Sequence, residues 1–313
     1  MAKAKWVGLG SSQRTHLFMA GSYALLLVAT VWGLWTHEGT GWQVIAEACA
    51  VAVPISMLPA ILYHDRKLYD KRNAALTLPW ELLLAAIIPP MAVLSVQFEF
   101  PLRDALFARM DRAMGISVPA IAAWVASHPS LNAISDRSYD TLYLLLPAAM
   151  LLPPLLGKRH AAEEFIVANA TAFLISFPLF TMLPAIGPWI GSQYSGNAPQ
   201  RACEATVLAL HGGSKTAAAV GIVCFPSFHV IWALLSARAL WSLRYLRIVA
   251  TGVACAVVIS TVTTGWHYVA DVIAGALVTV ASLAVAQWIV YPEEPEKWES
   301  HAKLVSEAKT AFS

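Results

Sequence analysis

Two short stretches carry residue types that a lipid-embedded chain avoids. In "TGWHYVADVIAG", Thr264 to Gly275, a histidine and an aspartate stand four residues apart in an apolar run. In "CFPSFHV", Cys224 to Val230, a second histidine follows a proline and a serine. At helical spacing Asp271 lies one turn deeper than His267 on the same face. A carboxylate there accepts the proton of one imidazole nitrogen, fixes the tautomer and leaves the other nitrogen free to attack an electrophile. Pro226 suits the first turn of a helix, where its missing N–H is not needed. Ser227 adds a hydroxyl beside the free N–H groups of that helix start, a cradle for phosphate. The bland reading of His267 and Asp271 is an ion pair joining two helices. Within a span Asp costs about 2.5–3.5 kcal/mol, so chemistry is the default.

Composition supplies the membrane these stretches imply. Hydrophobic residues make up 58% and charged residues 13%, with mean hydropathy +0.60. A soluble domain is nearer half apolar and a quarter charged. The net charge of +2 is small and says little about nucleic acid by itself, and no basic run is long enough to suggest a nucleic-acid partner. Many of the twelve tryptophans, Trp32, Trp35, Trp42, Trp80, Trp189 and Trp266 among them, fall at the ends of apolar runs, where an interfacial belt sits. None of the four cysteines has metal-ligand spacing, so each reads as a small buried hydrophobe. Cys203 and Cys224 are the pair that an oxidising compartment could join.

Runs long enough to span hydrocarbon fall at Leu17–Trp35, Val44–Tyr63, Leu78–Val96, Tyr139–Leu156, Phe165–Ile186, Cys224–Leu243, Ile248–Thr264 and Tyr268–Tyr291. Bulky Trp32, Leu34 and Trp35 follow the first run instead of a small-residue cleavage site, which marks a retained span. With both ends cytoplasmic, inner segments hold fourteen Lys and Arg against six outside, Arg238 lying within a span. That is the sense of the positive-inside rule, and it puts both histidines at the outer face. The expected fold is an all-α integral membrane protein of about eight spans with amphipathic interfacial helices outside. Residues 1–98 hold a tail and three spans, 99–138 an outer amphipathic segment, 139–291 the catalytic core and 292–313 a cytoplasmic tail. Within 99–138, Leu102, Leu106 and Met110 repeat on one face and Val118, Ile121, Ala122 and Val125 on another. A second outer segment, Gly187 to Ile222, is rich in Gly, Ser and Ala and could cover a site as a lid.

"PSFH" followed about forty residues later by "STVTTGWHYVAD" resembles the type 2 phosphatidic acid phosphatase superfamily. Its usual signatures are Pro-Ser-x-His and Ser-Arg followed by His-x-x-x-Asp. Thr261 stands where that family's arginine would be, and no Lys-x6-Arg-Pro is present. Both departures resemble the inositol phosphorylceramide synthase branch, with its "FPSxH", Ser-Thr and "HYxxD", and "MDRAMG" adds a weaker likeness. The resemblance covers Tyr139 to Tyr291 well and the first three spans hardly. It implies a six-helix-type phosphatase or phosphotransferase core. His267 would be the nucleophile that becomes phosphohistidine, Asp271 would orient it, and His229 would protonate the departing alcohol. Pro226, Ser227, Ser260, Thr261 and Tyr268 would contact substrate. With the usual arginines missing, Arg137 and Arg201 are candidate phosphate partners. No metal or cofactor is needed, because helix N-termini and positive groups can hold phosphate.

Two enzyme readings stay open. One is a phosphotransferase moving a phosphoryl group or inositol-phosphate-type head-group between lipids. The other is a phosphatase acting on phosphatidate, phosphatidylglycerophosphate or polyprenyl phosphates. Sphingolipid, glycerolipid and polyprenyl substrates drawn from the bilayer all suit a lateral apolar entrance. A transporter would scatter polar residues along several spans; here they cluster at one face. The short tails and compact loops suggest a bacterial plasma membrane with the site on its outer, periplasmic side.

Overall fold

The computed structural model describes residues 10–37, 76–212 and 224–291, and every regular element among them is helical. The helices are α1 (Ser11–His37), α2 (Leu78–Gln97), α3 (Asp104–Ala113), α4 (Val118–Ala126), α5 (Pro129–Asp140), α6 (Leu142–Leu155), α7 (Arg159–Met182), α8 (Ala198–His211), α9 (Phe228–Leu240), α10 (Arg247–Thr263) and α11 (Val269–Val290). The expected span Val44–Tyr63 and the tail 292–313 lie outside the described residues.

Helix α7 is the central post. Residues Ala162 to Phe173 are buried without interruption, and alanines at 162, 168, 170 and 172 let neighbours approach its backbone. Helices α2, α6, α9 and α11 pack around it. Among the described residues α7 and α11 are long and apolar enough to cross a membrane; α9 and α10 are apolar but shorter. Large apolar side chains face outward around this bundle, with Leu144, Ile248, Leu277 and Val280 each exposed by 65–76%. Such a belt is anomalous in water and ordinary in lipid.

The bundle has two chemically different poles. At one, Arg238 forks onto Glu164 at 2.6 and 3.1 Å, Arg159 pairs with Glu163 at 2.9 Å, and Arg14 Nε donates to the Ile289 carbonyl at 2.7 Å. His229 and His267 lie at the opposite pole, at the starts of α9 and α11.

Several boundaries differ from expectation. The run from Cys224 becomes helical only at Phe228, because Ser227 takes the N-cap and its Oγ accepts from Val230 N at 3.4 Å. Pro226 therefore precedes the cap rather than occupying the first turn. The run Tyr139–Leu156 divides at Thr141, though Thr141 keeps helical dihedrals (φ −61°, ψ −17°) and α5 continues almost directly into α6. In α3 the inward face is the acidic one: Asp104, Phe107 and Asp111 are buried while Met110 is exposed. The reason is unmet backbone donors. Asp104 accepts from Ile186 N and Gly187 N at 2.9–3.2 Å, and Asp111 accepts from Val269 N and Ala270 N at 3.0 Å. Burial pushes both carboxyls above the usual range, and those N–H bonds pull them back down. Helix α4 follows its predicted stripe, burying Val118, Ala122 and Val125.

Candidate active site

The segment Thr264–Tyr268 turns the chain from α10 into α11. Gly265 sits at φ +74°, a conformation open to glycine, and a Cβ there would lie 2.9 Å from that of Ala122. His267 thus precedes α11 instead of riding on it, and Asp271 is the third residue of that helix. The two meet because a carboxylate at this position folds back over the helix start. Its Oδ2 accepts from Tyr268 N at 2.9 Å and lies 3.5 Å from His267 Nδ1. The expected pair is present, but it is a helix-capping pair and not two residues on one helical face.

Two hydrogen bonds fix His267. Its backbone N donates to Thr261 O at 3.1 Å, and Nδ1 lies 3.0 Å from the Cys224 carbonyl. A carbonyl only accepts, so the ring proton is on Nδ1 and the Nε2 lone pair is free. Cys224 also donates its thiol to Asp271 Oδ2 at 3.0 Å. Ser227 N donates to the Asp271 carbonyl at 3.2 Å, which ties the start of α9 to α11.

His229 comes from the first turn of α9, its ring centroid 5.6 Å from that of His267. Tyr139 stacks on it at 4.1 Å and places its hydroxyl 3.2 Å from His229 Nδ1. Trp266 continues the stack, 6.0 Å from Tyr139 and edge-on to Trp189. The two histidines open onto a cavity of about 790 Å³. One wall is α8, through Pro199, Ala202, Cys203 and Thr206; another is the stripe Asp136, Tyr139, Asp140 and Tyr143 along α5 and α6. Among the described lining residues none is Lys or Arg. Asp136 is held above the ordinary carboxylate range by burial first and by neighbouring Asp140 second.

The remaining expected substrate contacts stand elsewhere. Ser260 and Thr261 are buried, and each hydroxyl donates to a carbonyl of its own helix, Val257 O and Val258 O, at 2.7 Å. Thr264 is the hydroxyl residue of that stretch that lines the cavity. Tyr268 points away from it, its hydroxyl donating to Asp104 Oδ1 and the Gly187 carbonyl at 3.1 and 3.0 Å. Arg137 is exposed and does not line the cavity. Arg201 is exposed too and donates to the Gly196 carbonyl at 2.6 Å. Ser227 is fully buried at the cap of α9. Sequence reasoning missed Cys224 and the α5–α6 stripe, although the spacing of "DYDY" across 136, 139, 140 and 143 is helical.

An all-helical bundle with an apolar belt, and two histidines and an aspartate at the mouth of one pole, defines a class of membrane enzyme. Residues 105–285, more than half of the chain, match the PAP2 superfamily, and the chain belongs to it. The matched stretch runs from α3 to α11 and contains every residue of the cavity wall. Membership brings phosphatase or phosphotransferase chemistry on lipid-like substrates. No curated protein and no solved structure matches the chain.

Proposed function

We propose that this protein is an integral membrane lipid phosphotransferase that moves a phospho-head-group, of the inositol-phosphate type, from one lipid to another through a phosphohistidine at His267. The observation that carries the transferase reading is the charge of the cavity. Two carboxylates, Asp136 and Asp140, line it, with no Lys or Arg among its described residues. A lipid phosphate monoester brings close to two negative charges, whereas a phosphodiester brings one. A wall of this sign favours the diester, and cleaving a diester to a phosphohistidine delivers a head-group phosphate for transfer.

The atoms support each step. His267 Nε2 attacks phosphorus as the donor P–O bond breaks. When Tyr139 donates to His229 Nδ1, the His229 proton sits on Nε2, where it passes to the departing alkoxide. The phosphorylated ring is cationic; its Nδ1–H rests against the Cys224 carbonyl, with the Asp271 carboxylate 3.5 Å away balancing the charge. His229 then takes the proton of the acceptor hydroxyl, whose oxygen attacks phosphorus and breaks the N–P bond. The basic inner loops favour a site on the outer face of the membrane, which we take to be a bacterial plasma membrane.

The test is an assay of purified protein with labelled phosphodiester donor and lipid acceptor, beside His267→Ala. Acceptor-dependent transfer, loss of it in His267→Ala and an acid-labile label on the wild-type protein are expected. Full activity of His267→Ala would overturn the mechanism. Release of inorganic phosphate from phosphatidate or a polyprenyl phosphate, indifferent to acceptor, would establish the phosphatase instead.

A further inference from the structure

We propose that Cys224, His267 and Asp271 form a binding site for a soft divalent cation such as Zn²⁺, and that occupying it switches the enzyme off. The three ligand atoms already surround one point. Cys224 Sγ is 3.0 Å from Asp271 Oδ2 and 3.9 Å from His267 Nδ1, and Nδ1 is 3.5 Å from Oδ2. Metal bonds of about 2.0–2.3 Å at tetrahedral angles put such ligands about 3.3–3.6 Å apart, so shifts of a few tenths of an ångström complete the set. All three residues are buried. A second observation points the same way: Asp271 Oδ1 is buried and has no hydrogen-bond partner among the described residues, so the carboxylate keeps an unused lone-pair set beside the thiol and the ring.

Charge and protons balance. Binding Zn²⁺ displaces the thiol proton to solvent, leaving a thiolate, a carboxylate and a neutral imidazole around a dication, for a net charge of zero. That neutrality suits a site at the edge of hydrocarbon. The mixed sulfur, nitrogen and oxygen donors select Zn²⁺ or Co²⁺ over Mg²⁺ and Ca²⁺.

Inactivation follows from the tautomer. His267 now carries its proton on Nδ1 and its lone pair on Nε2. A metal on Nδ1 takes the lone pair there, and the single proton of the neutral ring moves through solvent to Nε2. Nε2 then has no lone pair to offer phosphorus. This switching half rests on His267 as nucleophile, whereas the binding half does not.

The full-length protein, purified in detergent and reduced, is titrated with Co²⁺. One ion per chain with a sulfur-to-cobalt charge-transfer band is expected, displaced by Zn²⁺ and indifferent to Mg²⁺. Cys224→Ser and Asp271→Asn lose the band, while Cys203→Ser, which removes the other cavity thiol, keeps it. X-ray absorption of the zinc-loaded wild type, which needs no variant to fold, should show one sulfur and one imidazole in the shell. A shell without sulfur, or a band that survives in folded Cys224→Ser, would overturn the site. Zinc should abolish transfer and a chelator restore it; a zinc-loaded enzyme that keeps its activity would overturn the switch. A fully active His267→Ala would sink the phosphohistidine reading and leave the cobalt spectrum standing.

Discussion

Tyr139 does two things for His229 that mutation can separate. Its ring stacks on the imidazole, and its hydroxyl meets Nδ1. Tyr139→Phe keeps the stack and removes the proton that holds the Nε2–H tautomer. We expect kcat to fall about tenfold with KM unchanged, well short of the roughly 10²–10⁴-fold loss for removing an acid–base group such as His229. A rise in KM with kcat intact would assign Tyr139 to substrate instead. Tyr268 should behave in the opposite way. Its hydroxyl joins a buried carboxylate and a buried carbonyl across the α3 and Gly187 segments. Tyr268→Phe should lower stability by about 1.5–3 kcal/mol, seen as earlier thermal unfolding in detergent, and leave KM alone. The contrast shows what residue types alone convey. His229, His267 and Asp271 were legible because ionisable groups in apolar runs are costly. Tyr268 was not, since a motif does not say which way a side chain at a helix cap faces. Ser260 and Thr261 likewise look like substrate contacts until their hydroxyls are traced to carbonyls in their own helix.

Helices α9 and α11 must touch for the two histidines to meet, and Gly275 permits the contact. A Cβ on it would lie 2.8 Å from the Ser227 carbonyl and 3.2 Å from Val230 Cβ. The carbonyl is backbone at the cap of α9, so Gly275→Ala must push the start of that helix, and His229 with it, off α11. We expect a cost of about 1–3 kcal/mol from overpacking and a steep drop in kcat, since an ångström of misplacement is worth about 10²-fold. Adding Val230→Ala should not rescue it, because the backbone clash remains; rescue would mean that side-chain crowding, not the cap, sets the spacing. Hydrophobic periodicity disclosed most of these helices but not the roles of their polar faces. Around α3 the apolar repeat singles out Leu102, Leu106 and Met110, yet Asp111 on another face supplies the acceptors for the first two N–H groups of α11. A pattern of apolar residues cannot show that a distant helix start needs a carboxylate. The same limit hid the α5–α6 stripe, which a presumed span boundary at Tyr139 cut in two.

The two poles make the orientation of the molecule testable. Paired Arg and Glu residues gather at one end of the bundle, and the histidines with their acidic, aromatic cavity open at the other. Translocating Lys and Arg is the costly event during insertion, so the Arg-bearing pole should remain in the cytoplasm. Exposed positions exist on both sides for a direct test: Ser127 and Ser130 lie at the ends of α4 and α5 near the site, and Tyr245 lies in the turn between α9 and α10. In intact bacterial cells a membrane-impermeant maleimide should label Ser130→Cys at once and Tyr245→Cys only after lysis. The reverse pattern would move the site to the cytoplasm, where acceptors and donors of the inner leaflet would become the substrates. The apolar belt sets the depth in the same experiment. Leu277→Arg or Val280→Arg on the outward face of α11 should cost about 2.5–3.5 kcal/mol of insertion and reduce membrane-integrated protein, whereas Tyr245→Arg at the pole should not. Leu277→Arg and Val280→Arg variants that integrate as well as Tyr245→Arg would place α11 in water rather than lipid, and with it the cavity mouth that is meant to receive substrate sideways from the bilayer.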